Sequence, residues 1–238
     1  MAEWFEEWFG EEYLHLYPHR DDADAERAVR LLTRVLPWQR GWRVLDVACG
    51  AGRHLAALER AGAVPFGFDL SPALLRRAGQ ITSRPLVRAD MRCLPFRPRS
   101  MDLAVNLFTS FGYFAADEEH TDALGQMLST VRPRGWFVID FLNAEHVRAS
   151  LVPSENRLFG GLQAEVRREI TPDRRFVRKT ISLADGRCFE ERVRLLGPDE
   201  LERMIVAHGA EITGRYGDYA GTPLSGGNRT ILTAQVAA

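Results

Sequence analysis

The chain has 238 residues, enough for one α/β domain with an elaboration and a sizeable core. Its 45% hydrophobic and 26% charged residues are ordinary for a globular protein, and no apolar run approaches the length of a membrane span. A formal net charge of −1 lacks the basic surplus that marks nucleic-acid partners, and Cys49, Cys93 and Cys188 are too scattered to form a metal-spaced pair. These cysteines read as reduced packing residues. The acidic start, Met1-Ala2-Glu3-Trp4-Phe5-Glu6-Glu7, is unlike the basic start of a secretory signal, so a cytoplasmic protein is expected. Lys179 is the only lysine, an arginine bias that reads as genomic composition.

Residues 3–20 are dense in aromatics, with Trp4, Phe5, Trp8, Phe9, Tyr13 and Tyr17 beside His15, His19 and Arg20. Phe5, Phe9, Tyr13 and Tyr17 are spaced by four, which predicts one helix with one aromatic face, ended by Pro18. A second helix is expected from Asp24 to Leu36, with Asp21, Asp22 and Asp24 at its dipole-positive start and Ala25, Val29, Leu32 and Leu36 on one face.

The apolar run Arg43-Val44-Leu45-Asp46-Val47 then passes through Ala48-Cys49-Gly50-Ala51-Gly52 into the helix-patterned segment Leu55 to Ala61. This is a strand, a tight turn and a helix. Glycines let the chain turn sharply and let a ligand lie on bare backbone, while a helix N-terminus offers unpaired N–H groups. A second strand, Val64 to Phe68, ends in Asp69, placed to hold the two hydroxyls of a ribose. Ser71-Pro72 opens the next helix as cap and first helical residue. The third strand, Pro85 to Ala89, ends in Asp90.

This series resembles the motifs of the class I S-adenosylmethionine-dependent methyltransferases, with Ala48 standing at the first glycine of their acidic, glycine-alternating turn. A nicotinamide-binding turn would need a third glycine where Leu55 stands. The resemblance implies S-adenosylmethionine as cofactor, held at Asp46, Ala48, Gly50, Gly52, Asp69 and Leu70. It also implies that Asp90 and the Met91 N–H meet the adenine. Related small-molecule enzymes begin with a tyrosine-rich helix that closes over the cofactor, which implies a lid in which Tyr13, Tyr17 and Arg20 approach the methionyl end. The resemblance is specific from Val44 to Phe141 and looser at the ends.

The fourth strand, Asp102 to Phe108, runs into Thr109-Ser110-Phe111-Gly112-Tyr113-Phe114. Loops beyond the C-terminal ends of parallel strands bind ligands, which makes Asn106 a cofactor candidate and Ser110 and Tyr113 acceptor candidates. A helix from Asp117 to Val131 leads through Pro133-Arg134-Gly135 into the fifth strand, Trp136 to Phe141. Alternating strands and helices give a parallel, doubly wound sheet. From Glu155 the period becomes two, and Leu162 to Ile170, Arg174 to Leu183 and Cys188 to Leu195 predict three antiparallel strands. Their arginines, Arg167, Arg168, Arg174, Arg175, Arg178 and Arg194, are interleaved with acids. They read first as a half-solvated face and second as an anion pocket. A helix from Pro198 to His208, a sixth strand from Glu211 to Tyr216 and a seventh from Thr230 to Val236 complete the chain. The family's last strand returns antiparallel between the fifth and sixth. Asp218, Tyr219 and Arg229, in and beside the long loop before the seventh strand, are further acceptor candidates.

The expected architecture is a Rossmann-like, seven-stranded, mostly parallel sheet with its last strand antiparallel, a small antiparallel β insertion and an N-terminal helical lid. The expected divisions are a lid at 1–40, a cofactor-binding core at 41–150, a substrate wall at 151–196 and the rest of the core at 197–238. The expected activity is methyl transfer to a small-molecule N, O or C acceptor by a monomer or homodimer, with no nucleic acid, membrane or metal involved. The alternatives are a catalytically silent cofactor-binding or regulatory module, a nucleic-acid or protein methyltransferase of the same fold, and a nicotinamide-dependent oxidoreductase. His19, His120, His146, Asp218 and Tyr219 are candidate bases, and the sequence does not choose among them.

Overall fold

The computed structural model describes residues 3–17, 22–159 and 161–238. Its centre is β1 (Arg43–Val47), which lies parallel between β2 (Val64–Asp69) and β4 (Met101–Asn106). With β3 (Leu86–Arg88), β5 (Val131–Leu142), β10 (Ala210–Tyr216) and β11 (Arg229–Val236) it forms one sheet in the order β10-β11-β5-β4-β1-β2-β3. Only β11 runs against its neighbours, pairing antiparallel with both β5 and β10 as expected of the last strand.

Strand alternation divides the apolar side chains between the sheet's two faces. Val44, Leu103, Val105, Val138 and Ile231 pack on one side with α3 (Asp22–Val35) and α4 (Arg53–Arg60). Leu45, Val47, Ala104, Phe137, Ile139 and Leu232 pack on the other with α6 (Asp117–Thr130) and α8 (Pro198–Ala207). Both faces are covered, which is why the central strands read as continuous apolar runs. Leu55 is fully buried, and a side chain at Gly67 of β2 would meet it at 2.7 Å. The close helix–sheet approach is therefore made by a glycine on the strand.

Three local expectations are corrected. The aromatic N-terminus is two short helices, α1 (Trp4–Trp8) and α2 (Glu11–Leu16), because the chain extends at Gly10. The fifth strand begins at Val131 and continues through Pro133-Arg134-Gly135, where the register to β4 shifts and Arg134 takes a φ of 60°. The insertion has four strands, not three, because β6 (Ser154–Phe159) precedes β7 (Leu162–Ile170), β8 (Phe176–Leu183) and β9 (Cys188–Arg194) in the order β6-β7-β8-β9. The exposed, polar pattern of β6 hides it in the sequence. A short α7 (Ala144–Ser150), capped by the Asn143 carboxamide, was likewise not expected. α5 (Pro72–Ala78) begins as predicted, with Ser71 Oγ accepting the Leu74 N–H at 3.2 Å.

Several of the insertion's arginines are matched to acids rather than gathered around a pocket. Arg168 pairs with Glu155, Arg167 with Glu165, and Arg178 with Glu169 and Glu190. The largely buried Arg194 reaches Asp117 and Glu200 at 3.0 Å each, fastening the insertion to α6 and α8. Its apolar face, Phe159, Ala164, Val166, Ile181 and Leu183, packs against Trp8, Tyr13 and Leu16. The N-terminal helices thus lie between the insertion and the core.

Candidate active site

A cavity of about 540 Å³ opens beyond the C-terminal ends of β1 to β4. Its floor is the turn Ala48-Cys49-Gly50-Ala51, its sides are Leu70-Ser71 and Ala89-Asp90-Met91, and Leu107, Phe108, Ser110 and Tyr113 close the β4 side. Phe5, Phe9, Tyr13 and Tyr17 from the N-terminal helices line it as well. Such crevices are where open α/β sheets bind ligands.

Gly50 takes a φ of +55°, and a side chain there would meet nothing within 4 Å. Its bare backbone therefore faces open space on the cavity side, and a Cβ would begin to fill a ligand cradle. Its N–H donates to Asp69 Oδ2 at 2.8 Å, and the Ser71 N–H donates to Asp69 Oδ1 at 2.9 Å. Burial pushes the Asp69 carboxyl up while these backbone donors pull it down, and the net direction is up. Each oxygen keeps a lone pair for a ligand hydroxyl. Asp90 also lines the cavity, but Arg92 grips its carboxylate, with Nη2 at 2.6 Å and the Arg92 N–H at 2.8 Å. Partial burial raises Asp90, and the hydrogen bonds and charge of Arg92 outweigh it, holding the carboxyl below its usual range. Arg92 also reaches Glu3 and Glu119, so one guanidinium ties the start of α1, the Asp90 turn and α6 together.

Of the expected cofactor residues, Tyr13, Tyr17, Ala48, Gly50, Asp69, Leu70, Asp90 and Met91 meet in this cavity, as do the acceptor candidates Ser110 and Tyr113. Others do not line it. Gly52 has a φ of +87°, and its absent Cβ would stand 3.0 Å from that of Ala78, so this glycine lets α4 start against α5. Asn106 is wholly buried and donates to the carbonyls of Val47 and Ser110, each at 3.3 Å, joining β1 to the loop after β4. Asp46 lies beneath the turn, 1% exposed, and its Oδ2 has no hydrogen-bond partner among the described residues. Burial, and then the nearby Asp69, push its carboxyl up to about 8 against the pull of Arg53. Arg20 and the candidate base His19 lie outside the described residues. His120 is buried against Phe111 and Phe114, and His146 sits on α7; neither lines the cavity.

Asp218, Tyr219 and Arg229 lie beside the cavity wall rather than in it. Asp218 accepts the Thr222 N–H at 3.0 Å and shapes its own loop. Tyr219 Oη donates to Asp140 Oδ2 at 2.6 Å, Arg229 pairs with Asp140 Oδ1, and the Phe108 N–H donates to Oδ2 at 2.8 Å. Burial works against the Arg229 charge, but Asp140 outweighs it and raises the guanidinium's pKa. Burial and then Asp140 also raise the Tyr219 phenol, whose proton is directed to Asp140. Phe108 and Thr109 both lie in the left-handed region, φ 60° and 62°, a conformation that costs such residues energy and is held here by Asp140. Two guanidiniums lie over the Phe108 ring, Arg53 at 4.1 Å and Arg229 at 5.3 Å from its centre. Asp140 was missed from the sequence. Its signal was a lone acid inside the apolar run Trp136-Phe137-Val138-Ile139-Asp140-Phe141. Nothing in the sequence marked Phe108.

Residues 44–135 match the family model of a methyltransferase domain. The chain is 32% identical over 99 residues, 41% of each chain, to the dTDP-3-amino-3,4,6-trideoxy-alpha-D-glucopyranose N,N-dimethyltransferase of Streptomyces venezuelae. It spans between 36% and 63% of the length of the curated relatives it matches. The solved CcbJ methyltransferase of Streptomyces caelestis superposes with a TM-score of 0.80 at 19% identity, covering 97% of this chain and 98% of that one. The SAM-bound CalS10, an amino pentose methyltransferase of Micromonospora echinaspora, superposes with a TM-score of 0.70 at 22% identity, covering 94% and 96%. The fold is that of the class I methyltransferases. Within that fold, segment 44–135 carries the match to the methyltransferase-domain model.

Proposed function

We propose that the chain transfers the S-methyl group of S-adenosylmethionine to a small molecule. The observation that carries this reading is the cavity floor, where the open cradle at Gly50 stands next to Asp69, whose oxygens are fixed by two backbone N–H groups. These groups suit a ribose lying on bare backbone with its hydroxyls on the carboxylate. Ala48, Leu70 and Met91 would flank the nucleoside, and Asp90, held by Arg92, would accept from the adenine amino group. S-adenosylmethionine, when bound, supplies a methyl on a positively charged sulfur.

Methyl transfer is an in-line displacement, so the protein's task is alignment and exclusion of water, worth about 7–11 kcal/mol when the geometry is good. Phe5, Phe9, Tyr13 and Tyr113 form the dry side of the cavity. Ser110 Oγ donates to the Leu107 carbonyl at 2.9 Å and Tyr113 Oη donates to the Thr109 carbonyl at 2.7 Å. With their protons directed to the backbone, both oxygens are suited to accept from an acceptor's N–H or O–H, which points its lone pair elsewhere. An amine acceptor need only arrive neutral and requires no dedicated base. The division into lid, cofactor core and insertion as substrate wall belongs to the same proposal. A small acceptor is also in keeping with the relatives' named sugar substrates and with the net charge of −1.

Calorimetric titration with S-adenosylmethionine, S-adenosylhomocysteine and NADH tests the reading. Saturable binding of the first two alone is expected, followed by turnover in a screen of small amines, hydroxyls and carboxylates. Binding of NADH alone would overturn it, and cofactor binding without turnover of any acceptor would favour a silent module.

A further inference from the structure

Phe108 and Thr109, neighbours on the β4 side of the cavity, both hold left-handed backbone, with φ of 60° and 62°. That region is costly for a bulky side chain and for a β-branched one, so such a pair persists only where its surroundings over-determine it. Here the surroundings converge on one residue of β5. Asp140 is fully buried, its Oδ2 accepts the Phe108 N–H at 2.8 Å, and its main-chain carbonyl accepts the Thr109 N–H at 2.9 Å. Arg229, paired with the other carboxylate oxygen, donates from Nη2 to Thr109 Oγ1 at 3.3 Å. A buried ion pair adds little net stability over apolar residues of the same volume, so its return is to be sought in the geometry that it fixes.

The segment so held is cavity wall. Leu107, Phe108, Ser110 and Tyr113 line the cavity, and the Thr109 carbonyl accepts the Tyr113 phenol at 2.7 Å. Asn106 pins the segment from below through the Ser110 carbonyl at 3.3 Å. The sheet order says which part of a ligand meets this wall. Asp69 and Asp90 follow β2 and β3, whereas the wall follows β4, on the other side of β1 and its glycine turn. On the cofactor reading above, the ribose and adenine occupy the side of Asp69 and Asp90, so the amino-acid end extends toward the wall after β4.

We propose that Asp140 is a positioning residue of the cofactor site, acting through the left-handed backbone of Phe108 and Thr109 to preset the wall that receives the amino-acid end of the ligand. The inference rests on the proposed cofactor reading and extends it to a buried acid that stands behind the wall. The left-handed pair forms when the chain folds, so the ligand meets a wall already in place and does not have to order it. Without the Asp140 carboxylate the segment relaxes toward ordinary backbone, and only the fraction of molecules that still holds the left-handed pair binds the whole ligand.

The test compares S-adenosylhomocysteine, which has the amino-acid end, with 5′-methylthioadenosine, which lacks it. Both are titrated into wild type, D140N and the double variant D140N/T109G, with melting temperatures recorded for each. D140N is expected to weaken S-adenosylhomocysteine about tenfold or more, as when the preset wall is populated about one time in ten, and to change 5′-methylthioadenosine less than about twofold. Glycine takes a positive φ without strain, so T109G is expected to restore about threefold or more of that loss in the D140N background. Equal losses for the two ligands, unchanged affinity for S-adenosylhomocysteine, or no recovery on adding T109G would each overturn the proposal. If D140N fails to fold, D140E keeps the counter-charge of Arg229 while moving the oxygen off the Phe108 N–H, and the same ligand comparison on it decides. A wild type that binds neither ligand would instead remove the cofactor reading itself.

Discussion

Gly50 and Gly52 have different tasks in the turn after β1. Beside Gly50 there is open cavity, and beside Gly52 there is Ala78 at 3.0 Å. Gly50→Ala should therefore cost about 1 kcal/mol of stability for its left-handed backbone and weaken S-adenosylhomocysteine at least about tenfold, because the new methyl occupies ligand space. Gly52→Ala should destabilise by a similar or larger amount with nearly unchanged affinity. Thermal melts and calorimetry on the same two variants separate the outcomes, and equal effects on binding would refute the assignment. The alternating glycines were legible as a turn. Which of them faces the open cavity depends on α5, brought against the turn from more than twenty residues downstream. Asp69 was legible in full as a strand-end carboxylate, whereas Asp90 was legible only in position, because its grip by Arg92 draws on Glu3 and Glu119 as well.

At the scale of elements, the loop after β4 is held by one buried acid on β5. Asp140 accepts from Tyr219, Arg229 and the Phe108 N–H. Asp140→Ala leaves the Arg229 guanidinium buried without its counter-charge, and breaking such a pair costs about 3–5 kcal/mol. Denaturant unfolding should show a loss of that order, and a loss below about 1 kcal/mol would mean that the cluster relaxes into water. The N-terminal helices, proposed as a lid, make a kinetic prediction. They are fastened to the loop after β4 by the Trp4 indole on the Tyr113 carbonyl, and to the insertion by Trp8 on Glu191. Deleting residues 1–20 should raise the S-adenosylhomocysteine dissociation rate several-fold in stopped-flow displacement, and an unaltered rate would count against a lid. The aromatic spacing gave the N-terminal helical segment but one helix too few, since Gly10 breaks a pattern whose period runs straight through it. β6 escaped notice because an exposed edge strand needs no apolar alternation.

Across the whole molecule, pH acts through the buried turn. Asp46 is raised from 3.8 to about 8 by burial first and Asp69 second. Between those values the folded chain holds a proton that the unfolded chain has released, so stability declines as pH rises from about 4 to about 8 and levels off above. Melting temperatures of wild type should fall across that window more than those of Asp46→Asn, and parallel curves would remove Asp46 as the source. The sequence by itself determined the architecture: alternating apolar runs and amphipathic segments leave few ways to bury both faces of a parallel sheet, and local chemistry at strand ends placed Ala48, Gly50, Asp69 and Asp90 on one edge of it. Only the tertiary structure decided which residues share the cavity. Asn106, Gly52 and Asp46 turned behind its wall, Asp218, Tyr219 and Arg229 gathered beside it, and Lys179 came to Tyr17 across 162 residues. Strand period and turn chemistry act between near neighbours in the chain. Burial, charge pairing and close approach act between elements, and they take effect only when the sheet, N-terminal helices and insertion have met.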